Sequence, residues 1–158
     1  MVPPQWLGAA VTSFWLAQLS APRAETQMAS FRYPRLWHTL GWLLVVLVIF
    51  LSLTPKVPVI LDAPGSDKVH HFLAYLVMML WFSQLHREPR RQFWIGVGLV
   101  ALGAGLELVQ GLLVYRSADV FDGLANGCGV FAGRFLVETR LGSSLAFLDS
   151  QLLRLTRR

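Results

Sequence analysis

The chain is short of charge and of cysteine, and both shortages exclude something. Only 15% of its 158 residues are charged, where a soluble domain carries about a quarter. A single cysteine, Cys128, excludes an intrachain disulfide and any thiolate metal cluster. Within an apolar, glycine-rich run it reads as a small packing residue. No nucleotide-binding motif, HExxH zinc motif or nucleophile elbow occurs, so no reaction class is announced by a motif. Acidic residues are also scarce, nine against fourteen Lys and Arg. The basic surplus sits in short loops and tails beside apolar runs, which marks topology and contact with anionic lipid rather than nucleic acid.

What is abundant is apolar length. Hydrophobic residues make up 54% of the chain, mean hydropathy is +0.51, and about 20 helical residues suffice to cross a hydrocarbon core. The pattern predicts an all-α membrane protein, a four-transmembrane-helix bundle over residues 36–138. The first span runs from Leu36 to Leu53, with Trp37 and Trp42 at an interface; Thr54-Pro55 stops it. The second runs from Asp67-Lys68 to about Leu85, with Ser66 or Asp67 as its cap. The third is Phe93 to Tyr115 and the fourth Val120 to about Glu138. Residues 1–35 read as a cytoplasmic leader; no basic region precedes its apolar stretch as a signal peptide requires. That leaves a loose interfacial segment or an over-long start, the latter favoured because Met28-Ala-Ser-Phe-Arg-Tyr-Pro-Arg makes an ordinary basic leader to the first span. Residues 139–158 read as an amphipathic basic tail. There Leu145, Leu148, Leu152 and Leu155 draw one apolar stripe, expected to lie along the membrane surface and to add nothing to the core.

Orientation follows from the basic residues. Arg23, Arg32, Arg35, Arg87, Arg90, Arg91, Arg140, Arg154, Arg157 and Arg158 fall on one side; Lys56, Lys68 and Arg116 fall on the other. The positive-inside rule puts both termini in the cytoplasm.

Between Gly103 and Gly133 the apolar pattern is broken by Glu107, Gln110, Arg116, Asp119, Asp122 and Asn126. Asp119, Asp122 and Asn126 follow i, i+3, i+7 spacing and share one helix face, as do Glu107 and Gln110. Lys68, His71 and Tyr75 repeat that spacing on the second span. With a turn near residue 117, Glu107 and Asn126 stand level, roughly 15 Å below it, and Gln110 pairs similarly with Asp122. Gly123 with Gly127, Gly129 with Gly133, and Ala101 with Gly105 are small-residue pairs that let the third and fourth spans close up. The expected result is one polar pocket on the outer face. Each group also has a plain structural reading. Glu107, Gln110 and Asn126 can be a self-satisfied network, Arg116 with Asp119 a turn ion pair, Asp67 a cap and Tyr75 a packing residue. Against these stands the insertion cost of so many polar groups.

Three segments, Ser66–Tyr75 (SDKVHHFLAY), Glu107–Gln110 (ELVQ) and Arg116–Gly127 (RSADVFDGLANG), together resemble the VanZ-like family of small bacterial integral membrane proteins. The resemblance covers about Leu36 to Glu138. It implies a place in the bacterial inner membrane and a family-level association with resistance to teicoplanin, a glycopeptide antibiotic. It also implies that Asp67, Lys68, His71, Glu107, Gln110, Arg116, Asp119, Asp122 and Asn126 are motif positions.

Three functions fit such a pocket. The first is non-enzymatic binding of an amphiphilic cell-envelope component, with a lipid phosphate against Lys68, His71 and Arg116 and carboxylates orienting it. The second is a hydrolase or transferase acting on a lipid-linked envelope substrate, with Glu107 or Asp122 as general base. The third is a divalent metal on His71, Glu107, Asp119 and Asp122, ranked last because Lys68 and Arg116 oppose a cation. No metal or cofactor is therefore expected, and the partners expected are membrane lipids or a lipid-linked component, with no nucleic acid.

Overall fold

The computed structural model describes residues 31–55, 65–113 and 119–156, and among them all regular structure is helical. Helix α1, Pro34–Leu53, begins on a proline, whose fixed φ suits the first helical position. It stops at Thr54, extended ahead of Pro55, as a residue preceding proline prefers. Helix α2, Ser66–Leu85, is entered through Gly65 at φ 82°, a left-handed conformation that favours glycine. The expected cap at Ser66 or Asp67 is not made. Helix α3, Pro89–Gly111, starts four residues earlier than the apolar run suggested, because Pro89 serves as a helix opener. Helix α4, Val120–Leu136, is capped by Asp119, whose carboxylate accepts from the Phe121 amide at 2.8 Å. A 3₁₀ turn, Arg140–Ser143, then leads into α5, Ser144–Thr156. Of the leader, residues 1–30 lie outside the described residues, while Pro34 and Arg35 already belong to α1.

The expectation of four spans is not met on length and composition. Among the described residues only α1 and α3 are long and apolar enough to cross a membrane, with a third possible if α4 and the chain beyond it, bent by 75°, count as one span. The reason is local. Helix α2 carries Asp67, Lys68, His70 and His71 at one end and Ser83 and Gln84 at the other. Helix α4 is only 17 residues long and holds Asp122, Asn126 and Arg134.

Helix α2 is central, touching α1, α3 and most extensively α4. That contact is set by two glycines. A Cβ on Gly133 would fall 2.5 Å from the Leu76 carbonyl oxygen, and one on Gly129 would collide with the Phe72 carbonyl. Gly105, Gly123 and Gly127 by contrast face open space. The close approach expected between the third and fourth spans is therefore made by α2 and α4. Cys128 is exposed and is not the interior packing residue expected.

The tail also departs from expectation. Leu145 is buried and Leu152 packs against the core, while Leu148 and Leu155 are exposed. Between them on the inner face is Asp149, 5% exposed. Its carboxylate accepts from the Arg32 amide at 2.6 Å, the Tyr33 amide at 3.2 Å and the Trp37 indole at 2.7 Å. Gln84 Oε1 accepts from the Leu145 amide at 2.9 Å, so α2 in turn caps α5. The stripe was misread because the buried face includes a carboxylate, which periodicity of apolar residues does not count.

Two outcomes follow. Gly133→Ala forces a methyl against backbone and should destabilise the bundle by about 1–3 kcal/mol. Gly127→Ala meets nothing and should be neutral or stabilising, by up to about 1 kcal/mol. Thermal unfolding in detergent compares them, and equal effects would contradict the close α2–α4 contact. For Asp149, burial works against its charge, but the Trp37, Arg32 and Tyr33 donors prevail and hold its carboxyl below the ordinary range. A carboxyl depressed in the fold stabilises above its unfolded pKa of about 3.9, and that stabilisation is lost as pH falls through the lower folded value. Asp149→Ala should thus lose about 1.5–3 kcal/mol at neutral pH, with the gap to wild type closing below about pH 4. A gap that persists at low pH would mean the charge is irrelevant there.

Candidate functional site

Helices α2 and α4 both begin at the end of the bundle where α1 and α3 finish, so they run parallel. Lys68, His71 and Tyr75 of α2 face Asp119, Asp122 and Asn126 at the start of α4, and the matched i, i+3, i+7 spacing keeps the two sets in step. The rungs are short. Lys68 Nζ donates to Asp119 Oδ2 at 2.7 Å, to Asp122 Oδ1 at 3.1 Å and to Asp67 Oδ2 at 3.1 Å. The ammonium, followed by the Phe121 amide, holds the Asp119 carboxyl below the ordinary range. His71 Nδ1 lies 3.1 Å from Asn126 Oδ1, and its Nε2 lies 3.7 Å from Asp122 Oδ2.

Helix α3 closes the site. Glu107, buried, accepts the Asp119 amide on Oε2 at 3.2 Å. Gly103 lies beneath Tyr75 and Asn126: a Cβ there would stand 2.9 Å from Asn126 Nδ2 and 3.2 Å from Tyr75 Oη. Glycine thus leaves the room in which those side chains meet. Three buried polar atoms, Tyr75 Oη, Glu107 Oε1 and Asn126 Nδ2, have no hydrogen-bond partner among the described residues. An orphaned buried polar group costs about 1–3 kcal/mol, so three in one place call for an explanation.

The structure brings together Lys68, His71, Tyr75, Glu107, Asp119, Asp122 and Asn126. It does not bring in Gln110, whose amide turns to α1 and donates to the Ser52 carbonyl at 2.7 Å. The pairings expected for Glu107 with Asn126 and for Gln110 with Asp122 are therefore replaced. Arg116 lies outside the described residues. Asp67, read as a cap, belongs to the Lys68 cluster. Gly103 was not singled out as part of the site; its position four residues before Glu107 on the same face was the available signal.

The arrangement is net acidic. Four carboxylates, Asp67, Asp119, Asp122 and Glu107, surround one ammonium among the described residues. Lys68→Met should therefore lower the thermal midpoint in detergent by leaving three carboxylates facing one another. Adding Asp119→Asn should restore part of the loss, because residues in one ion network couple. Strictly additive effects would show that Lys68 is not their counter-charge.

Comparison with known proteins leaves the family open. No family model matches the chain, and no solved structure matches it. It is similar to an uncharacterized protein of the fission yeast Schizosaccharomyces pombe, C11E3.10, 37% identical over 92 residues, which cover 55% of this chain and 54% of that protein. The chain thus spans about half the length of the relative it matches. These findings overturn the VanZ-like assignment. The matching relative is eukaryotic and uncharacterized, no family model supports a bacterial family, and the cell-envelope and antibiotic-resistance associations fall with it.

Proposed function

We propose that this chain is an integral membrane protein whose polar pocket, at the end where α2 and α4 begin, binds the headgroup of a membrane amphiphile. The observation that carries this is the set of three buried atoms without a partner among the described residues, Tyr75 Oη and Asn126 Nδ2 beside Gly103, and Glu107 Oε1 one turn further along α3. They offer a hydroxyl, an acceptor and a donor to one small polar group.

The surface supports a membrane setting for all four long helices. Trp42, Val46 and Phe50 of α1, Val69, Leu73 and Val77 of α2, Val97, Val100 and Leu108 of α3, and Val120, Phe121 and Leu124 of α4 are exposed. Ser83, Gln84, Gln92, Glu107, Gln110, Asp122, Asn126 and Arg134 are buried. Polar groups inside and large apolar groups outside suit a lipid solvent, where intramembrane ionisable residues face the bundle interior. On this reading α2 and α4 also sit within the bilayer, giving the four-helix bundle, with their polar groups turned inward. The ten-to-three division of basic residues then places the termini and α5 on the cytoplasmic side and the pocket on the opposite face. Lys68 is committed to three carboxylates, so it is not a free phosphate clamp, which argues against that version of headgroup binding. A second reading, a membrane-embedded hydrolase or transferase, draws on Glu107, since a buried carboxylate with one oxygen unengaged is placed as a general base is.

Native mass spectrometry of protein extracted with its own lipids tests the proposal. Wild type should retain a bound amphiphile that Glu107→Gln and Asp122→Asn lose while remaining folded. The same lipid complement on all three would refute it.

A further inference from the structure

We propose that His71, Glu107 and Asp122 form a binding site for a divalent transition-metal ion of the Zn²⁺ or Mn²⁺ type. One ligand atom from each of the three residues lies within 4.8 Å of the others. A tetrahedral ion with bonds of about 2.0–2.2 Å holds its ligands roughly 3.3–3.6 Å apart, so side-chain adjustments of an ångström or so would close the set. His71 and Asp122 are already 3.7 Å apart.

The second observation is how each ligand is held. His71 directs Nδ1 at the Asn126 carbonyl oxygen. With Nδ1–H donating there, Nε2 presents a lone pair to Asp122 Oδ2, so two acceptors face each other. Asp122 gives Oδ1 to Lys68 and leaves Oδ2 toward the histidine. Glu107, 9% exposed, gives Oε2 to the Asp119 amide, while its buried Oε1 has no hydrogen-bond partner among the described residues. Each residue thus has one atom fixed by the protein and one left for a ligand. That is the outer-shell support metal ligands receive, an imidazole above all.

A neighbouring triad clarifies the pattern. Asp67, Asp119 and Asp122 also lie within ligating distance of one another, and there the Lys68 ammonium serves as the cation, touching one oxygen of each. Asp122 is common to both triads. No side-chain cation of the described residues is hydrogen-bonded to the Glu107 Oε1 side of the second. The objection that Lys68 repels a metal weakens, because four carboxylates outnumber it and three already neutralise it. Mixed imidazole and carboxylate ligation suits Zn²⁺ or Mn²⁺ better than Mg²⁺ or Ca²⁺. Three protein ligands leave coordination positions open, as catalytic rather than structural zinc sites do. The proposal goes beyond headgroup binding and needs no amphiphile in the pocket; an oxygen of one could take an open position.

The test is titration of the purified, tag-free protein in detergent with Zn²⁺ or Mn²⁺ alone, read by calorimetry and by metal content after dialysis. One ion per chain is expected. His71→Gln and Glu107→Gln should each weaken binding by about tenfold or more. Glu88→Gln, a charge loss at the other end of the bundle, should not. X-ray absorption of the zinc-loaded wild type should show one imidazole in a nitrogen and oxygen shell, which decides the matter if a variant fails to fold. Absence of stoichiometric metal, unchanged affinity in folded variants, or a shell without histidine would overturn the proposal. Metal binding without a retained lipid would uphold it while refuting headgroup binding, so the two readings fail separately.

Discussion

The structure depends on the backbone contact between α2 and α4. Gly129 and Gly133, one turn apart, lie against the carbonyls of Phe72 and Leu76, also one turn apart. Small residues at this spacing let helices meet at a distance that larger ones forbid. Once that register is set, the positions one and two turns nearer the helix starts are set too. Lys68 must meet Asp119 and Asp122, and His71 must meet Asp122 and Asn126. The polar site follows from an apolar packing device some way along the same helices. The two helices run parallel and rise equally per residue, so seven residues on one stay level with seven on the other.

The ends of the bundle use one kind of chemistry for different purposes. At the far end a single carboxylate, Asp149, gathers two backbone amides and an indole; Gln84 and Gln92 then tie α5 and α3 to α2. Those acceptors and donors are spent on joining segments of the chain. One buried hydroxyl there, Ser83 Oγ, has no partner among the described residues, whereas at the other end three buried atoms, Tyr75 Oη, Glu107 Oε1 and Asn126 Nδ2, are left unsatisfied by them. Polar groups that only build structure tend to be paired. The unevenness between the ends is what distinguishes a scaffold from a candidate site here.

Much of the helical framework was legible, because proline and apolar length act locally. Pro55 marks the end of α1 and the apolar runs of α1 and α3 are plain in the chain, whereas Pro34 and Pro89, which open those helices ahead of the apolar runs, were passed over. The facing sets Lys68, His71, Tyr75 and Asp119, Asp122, Asn126 were also readable, since residues at i, i+3 and i+7 share a face on any helix. The expectation of four spans is not met on length and composition among the described residues, because α2 carries polar residues at both ends and α4 is only 17 residues long. The family resemblance failed for a different reason: short motifs of charged and small residues can look alike without a family match.

The sequence by itself determined which residues share a helix face, because helical periodicity is local and owes nothing to neighbours. Tertiary structure decided which faces meet. Only it could send Gln110 to the Ser52 carbonyl instead of the polar cluster, turn Gly129 and Gly133 to α2 instead of α3, and bury Asp149 beside Trp37. Each of these depends on a contact between residues far apart in the chain. Such contacts are settled by which backbones can approach most closely and which polar atoms find partners once they have.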